Sequence, residues 1–248
     1  MSDASLLVAI GATFFVAGLV KGVTGMGLPT VAMGVLGALV SPLAAAGLLI
    51  VPSFVTNLWQ LAAGPALGPL LRRLWPMMAA ICAGTGLGAA LLASGKTEAT
   101  TTTLGAALAA YAGFTLLGRQ PRVPARAEPW LSPVIGATTG LVTGATGVFV
   151  VPAVPYLQAL GLGRDDLVQA LGLSFTVSTL ALAAGLGARG ALSGEGIGLS
   201  ALALIPALAG MWVGQSLRDR ISPAAFRRVF LLGLLALGAE MALRPWLG

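Results

Sequence analysis

Six runs of this chain are each apolar over about the length that a helix needs to cross a hydrocarbon core, roughly 17 to 25 residues. They are Leu43 to Ala63, Leu74 to Ser94, Thr100 to Gly118, Leu167 to Leu186, Ile197 to Leu217 and Ala224 to Leu243. Four shorter runs form two pairs, Leu6 to Val20 with Leu28 to Val40 and Leu131 to Val142 with Val148 to Leu162, and each pair flanks a Gly-rich break. A chain that is 57% hydrophobic and 9% charged has too little polar surface for a water-soluble domain, so the runs predict helices in a bilayer. Backbone at a break cannot face lipid, because its amides would have no partner there. Each short pair therefore predicts a broken helical hairpin buried in protein or lining an aqueous cavity.

The stretch 119–130 holds three Arg and three Pro and reads as a polar linker on the cytoplasmic side. On either side stand 118 residues, 1–118 and 131–248, each in the order short, short, long, long, long. That is an internal repeat, and particular residues support it. Gly18, Gly22, Thr24 and Gly25 recur at an offset of 122 as Gly140, Gly144, Thr146 and Gly147. Ser53-Phe54 recurs as Ser174-Phe175 at an offset of 121, and Gly84 and Gly88 recur as Gly210 and Gly214 at an offset of 126.

Charge placement sets the expected orientation, since Lys and Arg near segment ends concentrate on the cytoplasmic side. If each short pair leaves by the face it entered, thirteen loop cations divide ten to three, with only Lys96, Arg189 and Arg244 on the outer side. If each pair is one continuous span, they divide seven to six. The expected fold is accordingly an all-α polytopic membrane protein of two inverted-topology repeats, each a broken hairpin followed by three transmembrane helices. The short arms are expected to stop near the midplane, which would bring both breaks to a common depth.

Chemistry is expected at those breaks. The first reads Lys21-Gly22-Val23-Thr24-Gly25-Met26-Gly27-Leu28-Pro29, and the second Thr143-Gly144-Ala145-Thr146-Gly147-Val148-Phe149. Gly lets backbone turn and approach a ligand, Thr supplies a hydroxyl, and Pro29 and Pro152 suit the first turns of the returning arms. A returning arm aims its free N–H groups at the tip, so two such arms would favour a small anion. Lys21 is the one basic residue placed inside the apolar zone, where an ionisable group implies a partner or a substrate; Thr143 stands at its position in the second half. Ser53, Asn57 and Gln60 on one long run, and Ser174, Thr176, Ser178 and Thr179 on its mate, add polar groups, with Ser53 and Asn57 on one face and Ser174 and Ser178 on another. They either line a substrate route or bond back to their own helices. The candidate binding set is Lys21, Gly22, Thr24, Gly25, Gly27, Ser53, Asn57, Thr143, Gly144, Thr146, Gly147, Ser174 and Ser178. Gly84, Gly86, Gly88, Gly210 and Gly214 are expected to allow close helix packing.

Other classes fare worse. There is no His and one Cys, Cys82, so the commonest general base, an intrachain disulfide and a Cys-rich metal site are all excluded. No catalytic residue, metal or cofactor is expected. Glu240 is expected to pair with Arg244, and Asp165 and Asp166 to start a helix. The net charge of +6 lies in short loops without interleaved aromatics, which argues against nucleic acid. The alternatives to a transporter are a non-transporting membrane scaffold subunit and, further off, a membrane-embedded enzyme.

With Gly18, Gly22, Gly25, Gly27 and Pro29 in one half, Gly140, Gly144, Gly147 and Pro152 in the other, and Ser174-Phe175, Gly210 and Gly214 beyond, the chain resembles the sulfite exporter TauE/SafE family of membrane permeases over nearly its whole length. Leu28 after Gly27, and Phe149, stand where the family's glycine cluster is denser. The resemblance implies a multi-pass permease of the cell membrane, the inner membrane of a bacterium, exporting sulfite, a sulfonate or a related organosulfur anion. Its partners would be that small anion and the lipid bilayer, with a homodimer left open.

Overall fold

The computed structural model describes residues 3–118, 122–218, 220 and 222–247. Arg119, at the start of the expected linker, lies outside them. The described residues form helices and connecting turns, with no strand among them. The helices are α1 (Asp3–Thr24), α2 (Leu28–Leu39), α3 (Pro42–Ala62), α4 (Leu67–Ala93), α5 (Thr97–Leu116), α6 (Glu128–Thr146), α7 (Ala153–Ala159), α8 (Arg164–Gly187), α9 (Gly194–Leu217) and α10 (Pro223–Leu247).

Five of them, α1, α3, α4, α8 and α9, are long and apolar enough to cross a membrane. Four of these are long runs expected from the sequence. The fifth, α1, was expected to be a short arm. Its 22 residues extend for about 33 Å, and the 19 residues of α6 for about 28 Å, so neither outgoing arm is a half-span. The sequence pattern ends the first arm at Val20 because Lys21 and Gly22 break the apolar run. The fold carries the helix through both, since the Lys21 head finds polar partners and Gly22 lies against another helix. At α6 the helix begins three residues early, with Glu128 and Pro129 in its first turn, where an acidic side chain and a residue without an N–H are both favourable. The returning arms are the short ones, at 12 residues for α2 and seven for α7. Two expected spans, α5 and α10, form as helices but are more polar, α5 through the threonines of its first two turns and α10 through Arg227, Arg228, Glu240 and Arg244.

Glycine notches set the packing. A Cβ on Gly18 or Gly22 of α1 would overlap the carbonyls of Ala207 and Met211 on α9, and one on Gly210 or Gly214 would overlap Phe15 and Leu19 in return. Along α6, Gly136, Gly140 and Gly144 face the carbonyls of Met77, Ile81 and Thr85 on α4, while Gly84 and Gly88 face Ala137 and Leu141. Residue numbers climb together in both pairs, so α1 runs parallel to α9 and α6 parallel to α4. Association in lipid lacks a hydrophobic drive, and small residues that let backbones touch supply it through dispersion. A Cβ on Gly86 would meet open space, so Gly86 takes no part in this packing, though its carbonyl accepts from Arg189 at 2.7 Å.

Between these pairs α3 crosses α8 in antiparallel sense. Gly172 lies against Gln60 and Leu61, and Gln169 donates to the carbonyls of Leu61 and Gly64 and accepts from the Ala66 N–H, so the start of α8 clasps the turn that ends α3. The opposite ends meet around Gly47, Leu48, Ala191 and Leu192. Pro52 inside α3 cannot donate to the Leu48 carbonyl. Ser200 of α9 takes over, donating to Leu48 O at 2.8 Å and accepting from Val51 N at 3.1 Å.

Polar residues at the helix ends behave locally. Asp165 and Asp166 sit in the first turn of α8, Glu240 pairs with Arg244 at 3.1 Å, and Arg73 grips Glu128 with two bonds of 2.6 and 2.8 Å.

Candidate functional site

Both outgoing helices end by the same device. Thr24 donates to the Val20 carbonyl one turn back at 2.9 Å and accepts from the Met26 N–H at 3.3 Å; Thr146 donates to Val142 at 2.6 Å and accepts from Val148 at 3.2 Å. The next residue turns the chain. Gly25 at φ 78° closes its N–H on Lys21 O, and Gly147 at φ 72° closes on Thr143 O, each at 2.7 Å. A left-handed residue of this kind satisfies an orphan carbonyl at a helix end, and only Gly adopts it without cost. The breaks are therefore present, but shifted toward the C-terminal end of each glycine cluster. Lys21, Gly22, Thr24, Thr143, Gly144 and Thr146 belong to helices, and Gly22 and Gly144 are packing surfaces.

After the turn the halves diverge. Gly27, also left-handed at φ 106°, leads directly into α2, with Pro29 in its first turn as expected. In the second half the irregular segment continues to Pro152, which immediately precedes the seven-residue α7. A helix of two turns carries little macrodipole, so the expected pair of matched returning arms is not formed.

Gln60, near the end of α3, donates to Gly25 O at 3.2 Å, which places the first break at that end. A Cβ on Gly144, three residues before the second break, would meet Thr85, Gly88 and Ala89 of α4. The two breaks are joined through intervening helices. Gly147 stands against Met33 of α2, Phe149 packs on Phe175 of α8 with ring centroids 5.5 Å apart, and Gln60 ties Gly25 to Val168 O of α8.

What lies between is a polar seam along α3 and α8. Lys21 is only 5% exposed, and its ammonium donates to Thr56 Oγ1 at 3.1 Å and to Asn57 Oδ1. Thr56 in turn donates back to Pro52 O at 2.7 Å, so its lone pairs face Lys21. The lysine is therefore held inside the bundle rather than stretched to an interface, and its third N–H is uncommitted among the described residues. Asn57, with its carbonyl given to Lys21, is left with its amide as a donor, and Nδ2 has no partner among the described residues. Ser53, Ser174 and Ser178 are fully buried with unpartnered hydroxyls. From the Gly172–Gln60 contact, the antiparallel register runs Ser174 and Ser178 alongside the stretch of α3 that carries Ser53 and Asn57. Leaving one such buried group unbonded costs about 1–3 kcal/mol, which is a strong reason for a polar occupant at this seam.

Several expected polar residues serve their own helices instead. Thr176 and Thr179 donate to the carbonyls of Gly172 and Phe175, each at 2.7 Å, as the alternative of back-bonding has it. Thr143 donates to Thr139 O at 2.7 Å. Sequence reasoning missed Thr56, whose adjacency to Asn57 and spacing from Ser53 were the available signal. It also missed the buried, unpartnered hydroxyls of Thr30, Thr85 and Thr139, which carry no local signal at all.

A family model described as Sulfite exporter TauE/SafE matches residues 10–241 of the chain. No curated protein and no solved structure matches it.

Proposed function

The chain belongs to the sulfite exporter TauE/SafE family and is a multi-pass membrane protein, and from that premise we propose that it is a carrier moving a small sulfur-containing anion, such as sulfite or a sulfonate, out of the cell by alternating access. The observation that supports this reading most is the buried Lys21 ammonium on Thr56 and Asn57, beside a seam of unpartnered donors from Ser53, Asn57, Ser174 and Ser178. A desolvated cation with neutral donors around it attracts an anion strongly, because little water remains to screen the charge. Lys21 would hold the negative charge, and the hydroxyls and the Asn57 amide would replace the water stripped from its oxygens. Gly25, Gly27 and Gly147 would shape the two ends of the route, with Thr24 and Thr146 holding those turns.

Residues 1–118 and 131–248 are read as inverted repeats. In support, α1 runs with α9 as α6 runs with α4, the exchange expected if each half lends its first helix to the fourth helix of the other. The α3–α8 crossing then falls on the pseudo-symmetry axis, and rocking of one half against the other would open it to each side in turn. Export needs no coupling ion under this scheme. With the cell interior negative, each outward-moving negative charge gains about 2.3 kcal/mol per 100 mV.

Liposomes loaded with radiolabelled sulfite and given an imposed potential test the proposal. Purified protein should support potential-driven efflux, and Lys21→Ala should lower it at least about tenfold while Lys96→Ala, at an exposed turn, leaves it unchanged. Efflux no faster than from empty liposomes, or equal in both variants, would refute the reading.

A further inference from the structure

At the end of α1, Thr24 and Met26 meet Tyr111 of α5 and Arg227, Phe230 and Leu231 of α10 around a recess of about 50 Å³. Arg227 is partly buried in this wall, and no carboxylate among the described residues pairs with it. A guanidinium keeps its charge in any such setting, and apolar neighbours such as Phe230 and Leu231 reduce the screening of its field. The Tyr111 hydroxyl faces the same space and gives its proton to the Met26 thioether at 3.7 Å. Sulfur is a weak acceptor, so an oxygen anion would take that bond. Thr24, on the recess wall, follows Lys21 by three residues on one helix face, a rise of about 4.5 Å. The recess therefore adjoins the Lys21–Asn57 pair through the first break.

We propose that Arg227, with Tyr111, is a second anion-binding point, which receives a sulfonate or sulfur oxyanion at the mouth of the first break before it passes to Lys21. The inference deepens the carrier reading and rests on it for the identity of the cargo. It gives the route a polarity. Two cations stand in series at the first break, whereas at the second Thr143 occupies the position of Lys21. An anion is captured at the end bearing Arg227 and passes the neutral Thr143 at the second break.

Thiol chemistry in the recess tests this without requiring transport. With Cys82→Ala as background, Met26→Cys places one thiol there, and Phe230→Cys places one on the facing wall. The rates of modification by the anionic reagent sulfonatoethyl methanethiosulfonate and the cationic reagent trimethylammonioethyl methanethiosulfonate are compared, each divided by its rate with a free thiol. The anionic reagent should be favoured by about tenfold at both positions, as expected for a focused single charge. Adding Arg227→Gln should abolish the preference, Arg227→Lys should retain it, and methanesulfonate should slow the anionic reagent alone. Equal normalised rates at both positions in monodisperse protein, or a preference that survives Arg227→Gln, would overturn the proposal. A preserved preference without sulfite efflux would instead discard the carrier reading and leave the anion recess standing.

Discussion

At the end of α1, Thr24 bonds back to Val20 and Gly25 closes on Lys21; at the end of α6, Thr146 bonds back to Val142 and Gly147 closes on Thr143. The bonds correspond one for one, yet the surroundings differ. The first break is followed at once by α2, is tied to α3 by Gln60, and has Lys21 and Arg227 near it. The second continues as irregular chain to Pro152, packs Gly147 on Met33 and Phe149 on Phe175, and has a threonine where the first has its lysine. The common part is what stopping a helix inside a bundle demands. The parts that differ are free to carry function, and the buried lysine belongs to one side only.

The largest effect expected is common to both breaks. Gly18→Leu and Gly140→Leu each drive a side chain into a facing carbonyl, of Ala207 and Ile81 respectively, and neither backbone can yield. Both should abolish monodisperse, thermally cooperative protein in detergent. A folded Gly18→Leu protein alone would mean that the α1–α9 seam is looser than its counterpart.

Charge should separate the breaks next. Thr143→Ala removes a hydroxyl whose main bond is to its own helix, so sulfite efflux should stay within about threefold of the parent, against the tenfold or greater loss expected for Lys21→Ala. Similar losses for the two, measured in one liposome preparation, would erase the asymmetry.

Turn geometry comes third. Gly25→Ala meets open space and bears only the strain of a left-handed residue, about 1–2 kcal/mol. Gly147→Ala bears the same strain and also crowds the Met33 sulfur, so its thermal midpoint should fall further. The reverse order would show that Met33 yields easily. Smallest is the pair Thr24→Val and Thr146→Val, each losing about 1 kcal/mol with the donated and accepted bonds of its hydroxyl. Their midpoints should agree closely, and a clear gap would mean that one hydroxyl has work beyond the turn.

Much of the fold was legible because its signals are local. Four of the six long runs became helices long and apolar enough to cross a membrane, Glu240 found Arg244, and Asp165 and Asp166 opened α8. The four glycines of α4 and α9 expected to pack with their neighbours, Gly84, Gly88, Gly210 and Gly214, do so, while Gly86 does not. The break positions were legible only to within a turn. Gly22 and Gly25 look alike in the sequence, but one lies against the α9 backbone and the other turns the chain. That choice depends on which helix is adjacent, and adjacency is absent from a single local stretch.

By itself the sequence determined that the chain lives in a bilayer and that two glycine clusters interrupt its apolar runs. Apolar run length and residue spacing are enough for these, because hydration cost and helix geometry act over one segment at a time. Only the tertiary structure decided that the Lys21 ammonium rests on Thr56 and Asn57, some 35 residues away, and that Ser53, Ser174 and Ser178 are buried without partners. It also decided that Gly147 of the second break rests on Met33 of α2 and Phe149 on Phe175 of α8. Those outcomes come from helices brought together across the whole chain, and a buried polar group acquires its meaning from neighbours that only folding supplies.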